Sequence, residues 1–141
     1  MSKFIKKYMN CAIIYTILGL IGGVFYREFT KFNGFSGKTM LSVVHTHYLI
    51  LGTIVFLLLV LFEKSFHFSD KKSTALLNVY QLGLNMTVIM FIVRGVLQVL
   101  AAPLSTGLNA SISGIAGIGH IILGVSLVLL LAQMGKKIKN F

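Results

Sequence analysis

Four long apolar runs separated by short polar stretches set the pattern of this chain: about Tyr8 to Tyr26, Met40 to Phe62, Ala75 to Ala101 and Ile112 to Met134. Each is long enough to cross the hydrocarbon core of a bilayer, which takes about 20 residues of helix. Only helices and closed barrels satisfy their backbone in lipid, and leucine-rich runs of this length favour helices. The pattern predicts an all-α protein, a transmembrane antiparallel four-helix bundle forming one domain over residues 1–141. Short connections between consecutive spans impose the up-down-up-down order. Gly34 and Gly37 turn the chain between the first two spans, and the stretch Pro103 to Ala110, with Gly107 and Asn109, between the last two.

Composition agrees with this class. Of the 141 residues 56% are hydrophobic and only 11% charged, too little polar surface to cover a soluble core. The net charge of +10 does not point to nucleic acid, because the lysines sit at span ends and form no aromatic-interleaved patch. They read instead as orientation signals. Lys3, Lys6 and Lys7, then Lys64, Lys71 and Lys72, then Lys136, Lys137 and Lys139 mark three segments as cytoplasmic, both termini included. Arg27, Lys31 and Lys38 beside Glu28 are the only charges on the opposite side. The first run is too long for a signal-peptide core and lacks a small-x-small cleavage site. Cys11, alone of its type, excludes an internal disulfide and reads as helix packing.

Against this apolar background the polar residues inside the spans stand out, since ionisable groups at membrane depth are costly and usually functional. Stepping 100° per residue places Tyr8, Ala12, Tyr15, Gly19, Gly23 and Tyr26 on one stripe of the first helix. The second helix carries Ser42, His45, Leu49, Gly52 and Phe56, the third Tyr80, Gly83, Thr87, Phe91, Arg94 and Gln98. On the fourth, Ser113, Gly117, His120, Gly124 and Leu131 align. Small and polar residues together mark protein-facing sides. At 1.5 Å per residue His45 lies roughly 9 Å, His120 roughly 13 Å and Arg94 roughly 10 Å below the outer ends of their helices. All three are expected to face one another in the outer half of the bundle.

Haem b suits such a constellation. Two imidazoles from opposed helices complete a six-coordinate iron, and Gly52, Gly117 and Gly124 leave gaps for a flat macrocycle. Arg94, with Arg27 near the surface, would neutralise the propionates, because guanidinium pairs bidentately with carboxylate; Tyr26, on the stripe of the first helix, is a further cofactor-binding candidate. The expected axial ligands are His45 and His120. His47, about 200° around the helix from His45, is the alternate ligand or lines a second site or a subunit interface. A bland reading has each histidine hydrogen-bonded within a packed core. His67, in a cytoplasmic connection beside Lys64 and Asp70, reads as a solvated loop residue.

The element His45-Thr46-His47 resembles the low-spin haem-ligating helix of haem–copper oxidase and nitric oxide reductase catalytic subunits. The further histidines of an oxidase copper site are missing. With Tyr26-Arg27-Glu28-Phe29-Thr30-Lys31, Gly37-Lys38-Thr39, Leu49-Ile50-Leu51-Gly52, Glu63 and Gly117-Ile118-Gly119-His120, the chain is similar over nearly its whole length to a family of small four-span bacterial membrane proteins that includes the haem-sensing-system membrane protein HsmA. That resemblance implies haem capture in the bacterial cytoplasmic membrane, limiting the oxidative toxicity of excess haem, with no reaction catalysed. Two other readings stay open. One is an electron-transfer b-type cytochrome with a quinol or redox-protein partner; the other is a transition-metal site or permeation path on His45, His47 and His120, which no intramembrane carboxylate or thiolate joins. Beyond haem, membrane lipid is an expected partner and a homo-oligomer is compatible with the pattern.

Overall fold

Each apolar run folds into one long helix in the computed structural model, which describes residues 3–140. The helices are α1 (Lys3–Phe32), α2 (Met40–Phe66), α3 (Lys71–Val99) and α4 (Thr106–Lys139), all four long and apolar enough to cross a membrane. The protein is a multi-pass membrane protein, an antiparallel four-helix bundle. The helices outrun the expected spans at most ends because backbone hydrogen bonding continues past the hydrocarbon, where apolarity no longer marks it. The clearest correction is at the third connection. Gly107 and Asn109 lie in the first turns of α4, which Ser105 caps by accepting from the Leu108 N–H at 3.2 Å. Val99 ends α3, and Ala101, at φ 49°, and Pro103 turn the chain.

The end of the bundle that carries both termini is tied by side chains. Glu63, 4% exposed, accepts from the Ser69 N–H at 2.8 Å and the Ser69 hydroxyl at 2.7 Å. Because that hydroxyl spends its one proton on the carboxylate, the Tyr8 hydroxyl 2.6 Å away donates to it. This joins α1, the end of α2 and the approach to α3. His67 adopts the left-handed conformation that closes α2, φ 47°, a geometry histidine tolerates better than most non-glycine residues. Asp70 then starts α3 with a reciprocal cap: its Oδ1 accepts from the Ser73 N–H at 2.7 Å and the Ser73 hydroxyl accepts from the Asp70 N–H at 2.8 Å. The bond from the Ser73 backbone holds the Asp70 carboxyl below its ordinary range.

Helix α3 occupies the centre: 39% of its most apolar stretch is buried inside the protein, against 22% for each other helix. It packs on α2 through Leu41, Tyr48 and Tyr80, and on α4 through Gly83 and Thr87. α1 covers the far side of α2. Two glycines set the closest approaches. A Cβ at Gly52 would stand 2.5 Å from the Tyr15 ring, and one at Gly83 2.6 Å from the Leu123 backbone nitrogen. Tyr8, Tyr15, Phe56, Tyr80 and Leu84 fill the core between α1, α2 and α3.

α2 is not uniform. It opens with a 3₁₀ turn, Met40–Val43, and widens to a π-helical segment over Tyr48–Ile54. Such widening frees backbone groups and recurs at functional sites. Here Tyr80 donates to the Leu51 carbonyl at 2.7 Å, and Thr39, below the 3₁₀ turn, donates to the Gly95 carbonyl at 2.9 Å.

Candidate functional site

Two imidazoles meet in the half of the bundle away from the termini. His47 from α2 and His120 from α4 have ring centres 6.3 Å apart and ring planes at 84°. Phe91 of α3 touches both, at 4.8 Å from His47 and 5.4 Å from His120. Each histidine is oriented by its own helix. His47 Nδ1 lies 2.9 Å from the Val43 carbonyl oxygen, and His120 Nδ1 2.9 Å from the Ala116 carbonyl oxygen. A carbonyl only accepts, so Nδ1 carries a proton, and Nε2 is the nitrogen through which each imidazole, when neutral, could ligate. Backbone orientation of the remote ring nitrogen is how ligating histidines are generally held.

His45, the expected partner of His120, is elsewhere. Its side chain turns toward α1, where a Cβ on Gly23 would lie 3.6 Å from the His45 Cβ, and its Nδ1 is buried without a hydrogen-bond partner. The stripe His45, Leu49, Gly52 and Phe56 does face protein, as expected, but the helix it faces is α1. α2 lies between α1 on one side and α3 and α4 on the other, so it has two protein-facing sides. A helical wheel finds such sides without identifying the neighbour on each.

The other expected site residues divide in the same way. Arg94 donates to Asn109 Oδ1 at 3.1 Å, to the Asn109 carbonyl at 3.4 Å and to Ser113 Oγ at 2.6 Å, clamping the start of α4. Ser113 precedes His120 by two turns on one face, so the guanidinium sits roughly 10 Å farther from the termini than the imidazole. Gly117 and Gly124, one turn to either side of His120, have nothing within 4 Å of an added Cβ. They leave an open strip on α4, and next to it a shallow apolar cleft of about 420 Å³ runs past His120 and Gly124. Gly52 instead receives the Tyr15 ring and leaves no gap for a ligand. Tyr26 and Arg27 lie on α1, which supplies none of these ring contacts; Arg27 Nε is 3.6 Å from Glu28 with its side chain 80% exposed. His67 is exposed.

A polar cluster that the sequence reading passed over sits one step deeper. Tyr48, the residue after His47, donates to Asn85 Oδ1 at 3.1 Å, and Asn85 Nδ2 donates to the Tyr15 hydroxyl at 3.1 Å. Tyr15 in turn donates to Gln81 Oε1 at 3.4 Å. Gln81 and Asn85 are one turn apart in an apolar span, and that spacing was the available signal. Among the described residues no group of three or more His, Cys, Asp or Glu is placed to hold a metal ion. The arrangement is a two-nitrogen site beside an open strip, with a cation farther along the same seam.

The spacing of the two rings is compatible with one iron held between them. Two metal–imidazole bonds of about 2.0 Å each, with the reach from each nitrogen to its ring centre, would come to about 6 Å for rings whose Nε2 atoms turn toward one shared ion, close to the 6.3 Å between these ring centres. The Nδ1–carbonyl bonds leave Nε2 as the ring nitrogen available to a metal on each histidine, and Gly117 and Gly124 put no side chain on the strip to either side of His120.

The model of a family described as a protein of unknown function (DUF2871) matches residues 5–137. No curated protein and no solved structure matches the chain.

Proposed function

For a chain that belongs to the DUF2871 family, we propose that the function is to bind haem b in the membrane and hold it, limiting the toxicity of excess haem. The observation that carries this reading is the His47–His120 pair, two imidazoles whose Nδ1 atoms are held by their own helix carbonyls, with ring centres 6.3 Å apart. His47 and His120 would be the axial ligands, and Arg94 would meet the propionate end through donors its contacts with Asn109 and Ser113 leave free. Gly117 and Gly124 would admit the edge of the macrocycle. Haem held by two histidines offers an iron without an open coordination position, which suits capture better than oxygen chemistry. The likeness to small four-span bacterial proteins that include HsmA supports the same function. It also supports a place in the bacterial cytoplasmic membrane, with the lysine-rich end and both termini facing the cytoplasm.

Electron transfer is the second reading, and one observation favours it. The rings of Tyr8, Phe56, Tyr15 and Tyr48 follow one another at 6.2, 5.7 and 5.5 Å and end beside His47. Rapid reduction of the bound haem by a quinol would select it.

The deciding experiment is optical spectroscopy of protein purified from haem-supplied cells, with His47→Ala, His120→Ala and His45→Ala alongside. The first two should lose the low-spin Soret band and the third keep it. Cells overproducing the protein should also tolerate added haem, and His120→Ala should abolish the protection. Protection without haem binding would end the capture reading.

A further inference from the structure

At the lysine-rich end, away from the histidine pair, the seam between α3 and α4 opens into two joined spaces. The deeper one, about 350 Å³, is walled by Ala75, Leu76 and Val79 of α3 and Leu129 and Ala132 of α4. The outer one, about 220 Å³, is lined by Lys72, Lys136 and Lys137 with Gln133 and Asn140. Lys72, Gln133 and Lys136 border both, so the two form one cleft with an apolar floor and a cationic mouth. One carboxylate, Asp70, stands at the mouth, and it is already engaged by the Ser73 N–H at 2.7 Å. Among the described residues, three ammonium groups against one committed carboxylate leave the mouth positive. From Lys72 to Val79, and from Lys136 back to Leu129, the walls run for two turns of helix, about 10 Å.

We propose that this cleft binds an anionic glycerophospholipid, its phosphate between Lys72, Lys136 and Lys137 and one acyl chain along the floor between Ala75 and Ala132. The combination selects the occupant. A free anion leaves the apolar floor uncovered, and an apolar helix leaves the lysines without a counter-charge. An anionic lipid matches both halves, and basic pockets between spanning helices are where such headgroups are recognised. The small side chains of Ala75 and Ala132 admit the chain, and the lysine stems cover its upper part while their ammonium groups stay at the headgroup. Because α3 and α4 also carry Phe91 and His120, a lipid here would brace the helix pair that supports the histidines.

Native mass spectrometry of the full chain released from nanodiscs of mixed phosphatidylglycerol and phosphatidylcholine tests this. The wild type should retain phosphatidylglycerol in preference. The double variant Lys72→Gln/Lys136→Gln should lose roughly thirtyfold of that preference, from the attraction of two lysines for an anionic surface. Ala132→Phe, which fills the floor with every lysine intact, should also release the lipid, whereas Lys38→Gln at the other end should change nothing. Unaltered retention in either of the first two variants overturns the proposal. Displacement by inorganic phosphate would make this a free-anion site, and displacement by added haem would make haem its occupant; either result refutes the lipid assignment.

Discussion

Glycine-to-alanine exchange at Gly83 and at Gly124 adds the same methyl group to two membrane helices, yet the consequences should differ sharply. At Gly83 the new Cβ would lie 2.6 Å from the Leu123 nitrogen, 2.9 Å from the Leu123 Cα and 3.0 Å from Ile122 Cγ2. Two of these are backbone atoms and cannot rotate away, so α4 must move out by about 1 Å to restore ordinary contact, a change of the kind that costs about 1–3 kcal/mol. At Gly124 nothing lies within 4 Å, so the methyl meets no protein atom. Alanine also gains about 1 kcal/mol of helix propensity over glycine at both positions, and this gain cancels in the comparison. The stability difference between the two variants should therefore be about 1–3 kcal/mol, roughly 5- to 150-fold in the unfolding equilibrium. Equilibrium unfolding in mixed detergent micelles, followed by circular dichroism, measures it. Leu123 is one turn from His120, so the same displacement should widen the His47–His120 separation and weaken the low-spin spectrum of Gly83→Ala in haem-loaded protein. Equal stability of the two variants would refute the claim that backbone contact at Gly83 sets the α3–α4 spacing.

Other expectations rest on single contacts. Tyr80→Phe deletes the hydroxyl that donates to the Leu51 carbonyl at 2.7 Å; loss of that bond between α3 and the π segment should cost about 1 kcal/mol, read by the same unfolding assay. Asp70→Ala removes the reciprocal cap with Ser73 and should cost about 1 kcal/mol, with faster amide exchange in the first turn of α3. The Asp70 carboxyl is held below its ordinary value of 3.8, so its contribution is complete above that pH and is lost as pH falls through the lower folded value; in Asp70→Asn that part of the acid sensitivity should vanish. Arg94→Gln should loosen the start of α4 by breaking its bonds to Asn109 and Ser113, seen as faster exchange at residues 106–113. In a Cys11→Ser background, a cysteine at Asn109 should react with an impermeant reagent from outside the cell and one at Asn140 should not; the opposite pattern would invert the proposed orientation.

Residue order alone determined the class, the number of spans and their antiparallel sequence. Those features follow from the cost of exposing backbone and charge to lipid, which acts on each segment separately and is written in its hydropathy. The same cost singled out His45, His47, His120 and Arg94 as the groups needing explanation. Helix ends were legible only in part: Pro103 and Gly34 broke the chain where expected, but Ser105 as the cap of α4 and the lengths of α1 and α4 beyond the apolar core carry no hydrophobic signal. Tertiary structure alone decided which helix each face meets. The helical wheel favoured His45 over His47 because it shares a stripe with Gly52, and it could not show that this stripe meets α1 while His47 lies on the side toward α3 and α4. Gly52 and Gly124 likewise read as equivalent gaps in the sequence. One is filled by the Tyr15 ring of a neighbouring helix and the other is open, because packing is a property of pairs of surfaces and a single chain's periodicity specifies only one member of each pair.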